Sequence, residues 1–186
     1  MTLFEYLAIA FSLVLSFAAM RLIAGLQHAL DPDRRYWVHV TLVFVQLFAT
    51  VAVFWVFWSF RDAEWNLPRF LLVLASPALI YFNACALIPE VPVSIESWRD
   101  YYFSTCHRYF AGVCVWAIVV MASSTIVLDM PLVHPARGTQ CLFLAVGILG
   151  VASRNPRVHA GIAILFICMI PLLVLSLGLR PGPLVR

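Results

Sequence analysis

Apolar residues fill six stretches of this chain, roughly 3–24, 36–60, 67–88, 109–128, 136–152 and 158–179, and nearly every charge falls in the short gaps between them. Most stretches are about 20 residues long, which at 1.5 Å per residue matches a hydrocarbon core of about 30 Å. Lipid offers bare backbone no hydrogen-bond partner, so stretches of this length are helices. The pattern predicts an all-α membrane protein: a bundle of six transmembrane helices with short loops, forming one integral membrane domain over 1–186.

The ends of the stretches carry their own signals. Asp31-Pro32-Asp33 reads as a helix start, with Asp31 as N-cap and Pro32 in the first helical position. The second helix then emerges through Arg34-Arg35-Tyr36-Trp37 and closes on Phe54-Trp55-Val56-Phe57-Trp58 and Arg61, an aromatic belt at each interface. Asn66 is placed to cap the third helix, which carries Pro77 near its middle. In the third loop, Ile95, Trp98 and Tyr102 recur three to four residues apart among Glu96, Ser97, Arg99 and Asp100. That spacing fits either a short amphipathic helix lying in the interface before helix four or the solvated first turns of a long helix four. Helix five is short and rich in small residues (Ala145, Gly147, Gly150, Ala152), which permits close helix approach. Pro156 and Arg157 open helix six, which contains Pro171.

Composition agrees with the pattern. Hydrophobic residues are 63% and charged residues 11% of 186, against roughly 45–50% and 25% in soluble domains. All twelve basic residues are Arg, so a retinal Schiff base has no Lys to form on. The absence of Lys beside many Ala and Pro points to a GC-rich bacterial genome and hence to an inner membrane. A net charge of +3 without a basic block gives no footprint for nucleic acid. No Arg or Lys precedes the first stretch, so it reads as a retained helix and not a cleaved signal peptide. Cys85, Cys106, Cys114, Cys141 and Cys168 show no CxxC spacing and read as reduced packing residues, with no metal site.

Candidate chemistry is sparse. No carboxylate or base sits near the middle of a helix, which argues against a buried proton relay and against an enzyme that needs paired acids. No HExxH, GxSxG, phosphate loop or nucleotide fingerprint occurs. Uncharged polar groups do reach mid-depth. Ser12 and Ser16 share a face of helix one, Gln46 and Thr50 share a face of helix two, and Ser76 adjoins Pro77, whose ring deprives the Val73 carbonyl of its helical donor. These residues line a substrate path among helices one to three, or they are interhelical hydrogen-bond glue. Pro77 and Pro171 fall in the third helix of each half, a placement associated with transporter sites between inverted repeats.

Two further groups sit near the ends. Arg35, Arg108 and Arg157 lie on one side of the membrane, as interface anchors or as contacts for anionic lipid or a phosphate-bearing ligand. His28, His39, His107 and His159 map to that same side. A single haem needs two axial His from facing helices, and His39 with His159 is the conceivable pair. Interfacial His beside Arg is the plainer reading, and no cofactor is expected.

Three functional classes follow: a small transporter or channel component for an uncharged or weakly charged solute, an accessory or assembly subunit of a larger membrane complex, and a haem-binding redox subunit. Expected partners are the lipid bilayer and either further copies of the chain or other membrane subunits. Arg21, Arg34, Arg35, Arg99, Arg108, Arg154 and Arg157 lie towards loops one, three and five, against Arg61, Arg69, Arg137, Arg180 and Arg186 on the other side. That bias predicts cytoplasmic loops one, three and five and periplasmic termini. A C-terminal reporter active only in the cytoplasm is expected to stay silent, and a strong signal would reverse the orientation.

Overall fold

The computed structural model describes residues 3–177. Six helices follow in order: α1 (Leu3–Ala29), α2 (Trp37–Phe57), α3 (Leu67–Leu87), α4 (Trp98–Ile126), α5 (Pro135–Ala152) and α6 (Pro156–Leu177). Short 3₁₀ turns continue α2 over Trp58–Phe60 and occupy Pro92–Ser94 in the third loop. All six are long and apolar enough to cross a membrane, and large apolar side chains such as Ile9, Leu13, Phe17, Phe44, Phe54, Ile118, Ile167 and Leu172 point out of the bundle. A helix apolar all round, buried on one side and facing lipid on the other, is the signature of a bilayer solvent. The chain is a multi-pass membrane protein. The last two residues of the sixth stretch, and Arg180 and Arg186, lie outside the described residues.

α1, α2 and α3 pack against one another, α4 lies between α3 and α5, and α6 leans on α2 with little contact to α5. The two halves therefore pack differently. Glycines set the closest approach in the second half. Phe110 lies over Gly150, and the Cys114 side chain lies over Gly147. In the first half the Ile88 side chain covers Gly25.

The third loop resolves in favour of one long helix. α4 begins at Trp98, capped by Ser97, whose hydroxyl accepts the Asp100 amide at 3.3 Å. Trp98, Tyr102, Cys106 and Tyr109 are all buried on its inner face, while Arg99, Asp100 and Arg108 face outward. At 29 residues α4 is about 43 Å long and extends beyond the hydrocarbon. Asn66 caps α3 as the sequence implies, accepting the Arg69 amide at 3.0 Å.

Asp31, by contrast, does not cap α2, which starts six residues later behind an uncapped Tyr36. Arg34 captures its carboxylate at 2.8 Å, and the Asp33 amide donates to it at 3.2 Å, closing a turn instead of a helix. The Asp33 amide and the Arg34 guanidinium hold the Asp31 carboxyl below its usual range. Arg34 also donates to the Ile95 carbonyl at 3.0 Å, and its own carbonyl accepts the Trp98 amide at 3.2 Å. The Trp98 indole N–H reaches the His28 carbonyl at 2.8 Å, and Arg21 donates to the Ile88 carbonyl at 3.0 Å. Loops one and three are clasped together at this odd-loop end of the bundle.

The glycine contacts make a direct prediction. Gly150→Ala places a methyl group inside the Phe110 ring and should cost about 1–3 kcal/mol of stability, as overpacking does. Gly161→Ala, which meets open space, should leave the detergent melting midpoint unchanged. Equal midpoints for both variants would refute the α4–α5 packing.

Candidate functional site

A cavity of about 450 Å³ occupies the half of the bundle nearer loops two and four. Its inner end lies at Val45, Ser76 and Trp116, and its outer end at Phe60, His134 and Leu173. Apolar groups form most of the wall: Phe11 from α1, Ala49, Ala52 and Phe57 from α2, Phe143 from α5, and Phe166 and Met169 from α6. The Trp116 ring stands edge-on to Phe143 at 5.4 Å, and Phe143 stacks on Phe166 at 5.8 Å. The Trp116 indole N–H is satisfied by the Ser76 hydroxyl at 3.0 Å.

Polar groups gather at one pole of the cavity, where Ser123, Ser124, His134, Thr139 and Gln140 line it. Behind them is Arg137, only 8% exposed. α4 ends in a turn at Asp129 in the left-handed region (φ 49°), which brings the Met130 carbonyl back towards α5. Arg137 donates to the Met130 carbonyl at 2.9 Å, the Met121 carbonyl at 3.2 Å, Thr125 Oγ1 at 2.7 Å, Ser124 Oγ at 2.9 Å and Gln140 Oε1 at 2.9 Å. The guanidinium thus caps the carbonyl end of α4, where a cation is favoured. Every one of these partners is a neutral oxygen. The His134 Nδ1 accepts the Ala136 amide at 3.2 Å, which leaves the ring proton on Nε2.

Gln46 closes the inner side. Its amide nitrogen donates to the Ile80 carbonyl at 3.3 Å, and its oxygen accepts the Tyr109 hydroxyl at 3.3 Å, joining α2, α3 and α4. Thr50 donates back to the Gln46 carbonyl at 2.9 Å. Gln46, Thr50 and Ser76 are all buried, and Ser76 reaches the cavity wall. Ser12 and Ser16 lie elsewhere: Ser16 faces outward, and both hydroxyls donate within α1, to the Ile9 and Ser12 carbonyls. Pro77 is buried while Pro171 faces outward, and α3 and α6 both run through their prolines without interruption.

Beyond Gln46, towards loops one, three and five, aromatic rings pack together in the bundle interior. His39 is fully buried, stacked on Trp98 at 4.8 Å and edge-on to Tyr102 at 6.1 Å, and neither ring nitrogen has a hydrogen-bond partner. His159 has both nitrogens engaged. Nε2 donates to the Ser153 carbonyl at 2.8 Å, and Nδ1 accepts the Tyr102 hydroxyl at 2.6 Å. No nitrogen of His159 is left for a haem iron. Among the described residues no group of three or more His, Cys, Asp or Glu could hold a metal ion. Arg35, Arg108 and Arg157 are exposed at this end, and Arg108 and His107 border a shallow groove between α3 and α4.

Sequence reasoning missed the Arg137 cluster. The available signal was a Ser-Ser-Thr run closing one helix twelve residues before an Arg with Gln three positions further on. No protein-family model, characterised protein or solved structure matches the chain.

The cap predicts a large effect from a conservative change. Arg137→Lys keeps the charge but cannot span two carbonyls and three side-chain oxygens at once. It should lower stability in detergent by about 1–3 kcal/mol through the orphaned acceptors. A wild-type melting midpoint would show that the cap is dispensable.

Proposed function

We propose that this protein is a small membrane carrier that takes an uncharged or weakly charged, largely apolar solute into the cavity from the side of loops two and four. The observation that carries the reading is the asymmetry along the bundle. A cavity of about 450 Å³, within the range of small-molecule sites, fills one half. The other half is closed by the Gln46 bridge and by the packed rings of Trp98, Tyr102, Tyr109 and Phe110. A void in one half of the bundle with packed side chains across the other is what a carrier requires in one of its two states. The weak contact between α5 and α6 supports the same reading, since α6, which rests mainly on α2, is the wall with least to lose on moving.

Orientation follows from the arginines. Arg137 is a buried cap and not a loop charge. Setting it aside, with Arg21, which caps α3 from within α1, leaves Arg61 and Arg69 as the described loop-side arginines opposite six near loops one, three and five. The bias favours cytoplasmic loops one, three and five in a bacterial inner membrane, with the cavity facing the periplasm.

Uptake into reconstituted vesicles, measured for a panel of radiolabelled uncharged and weak-acid solutes, tests the carrier. Ala49→Phe fills the cavity and should abolish uptake while leaving the melting midpoint in detergent near wild type. Gln46→Leu removes the bridge and should change uptake, with a stability loss of about 0.6–2 kcal/mol per lost hydrogen bond. Uptake that is absent from wild type, or unchanged in both variants, would sink the carrier and promote the accessory-subunit reading.

A further inference from the structure

We propose that the cavity's solute is a single-chain amphiphile with an anionic head, such as a medium-chain carboxylate, held with its head at the Gln140–His134 pole and its chain along the apolar wall. The inference rests on the carrier reading and names the class of molecule for the same site.

Three observations converge on it. The first is the segregation of the lining. Ser123, Ser124, His134, Thr139 and Gln140 occupy one pole, while the remaining lining is apolar apart from Ser76, whose hydroxyl is taken up by the Trp116 indole. A uniformly apolar solute would leave that pole unmatched, and a uniformly polar one would strand the aromatic wall.

The second is charge. Arg137 is buried, and its partners are carbonyls, hydroxyls and one amide oxygen. Asp129, the acid nearest in sequence, is exposed and is not among them. A buried charge without a counter-ion is costly. An anion entering the adjacent pole supplies the missing charge.

The third is hydrogen-bond capacity. Ser124 Oγ already donates to the Met121 carbonyl and accepts from Arg137 and Gln140. The His134 Nε2–H and the Thr139 hydroxyl have no partner among the described residues. The imidazole N–H can only donate and the Thr139 hydroxyl can do so, so the pole offers two donors to a carboxylate, which only accepts. A cationic head meets the opposite conditions, with Arg137 repelling it and these donors left unused.

Binding in nanodiscs tests the head group separately from the cavity. Dodecanoate, dodecanol and dodecyltrimethylammonium share a chain and differ in charge. On wild-type protein at pH 8, dodecanoate should bind at least about tenfold tighter than dodecanol, a difference of about 1.4 kcal/mol, and the cation should not bind. His134→Ala with Thr139→Val should remove that preference while leaving dodecanol affinity within about twofold, well under the tenfold that 1.4 kcal/mol represents. Arg137→Gln should do the same if it folds, and the double variant keeps the test valid if it does not. Equal affinity for acid and alcohol, with both lost in Ala49→Phe, would overturn the anionic head and leave the cavity reading standing. Tighter binding of the cation would overturn it outright. No binding of any of the three would overturn both readings.

Discussion

The bilayer's refusal to hydrogen-bond is the constraint on which everything else here depends. Helices satisfy their own backbone except at their ends and at proline, so the surplus carbonyls must be met by side chains. Arg137 meets those at the end of α4, Arg21 reaches the last carbonyl beyond α3, and the Trp98 indole meets that of His28. In each case one long side chain joins two helices while it caps one of them. Helix association in lipid lacks a hydrophobic drive. The polar contacts that hold this bundle together are therefore largely the same ones that finish its helices.

The positions of these contacts divide the molecule along its length. The clasp of loops one and three, with Trp98, Tyr101 and Tyr102 packed around His39, makes the odd-loop half rigid and full. The Gln46 bridge marks its limit. Past it, α6 rests mainly on α2 with little contact to α5, and the cavity lies among these helices. Among the described residues the buried arginine, Arg137, lies on the cavity side, behind the polar pole.

The six spans were legible because hydropathy over about 20 residues is a strong signal, and the Asn66 cap because its residue type and position admit one role. The start of α4 was ambiguous for a physical reason. Arg99, Asp100 and Arg108 dilute the hydropathy, while Trp98 and Tyr102 on the opposite face are fully buried, and a linear pattern weighs both faces alike. Asp31 had every mark of an N-cap, but Arg34, three residues on, competes for the same carboxylate and wins. Arg137 was hidden more deeply. A basic residue near a loop reads as a headgroup contact, and only the arrangement of carbonyls at the end of α4 reveals why this one turns inward. The grouping of His134, Thr139 and Gln140 with Ser123 and Ser124 needs the α4–α5 packing, which no spacing along the chain encodes.

The unequal lengths of neighbouring helices have an effect on the lipid itself. α5 has 18 residues and spans about 27 Å, against about 43 Å for α4 beside it. Hydrocarbon tails cannot leave the polar start of α5 bare, so the leaflet against it compresses, at a fraction of a kcal/mol per Å of mismatch. That start of α5 is where His134 and Pro135 line the cavity, so compression there would fall beside it. Headgroups and interfacial water there sink closer to mid-membrane than elsewhere around the protein. The annulus of lipid is thus thinnest beside the cavity's outer rim, and thicker, sterol-rich bilayers would strain this protein most on that flank.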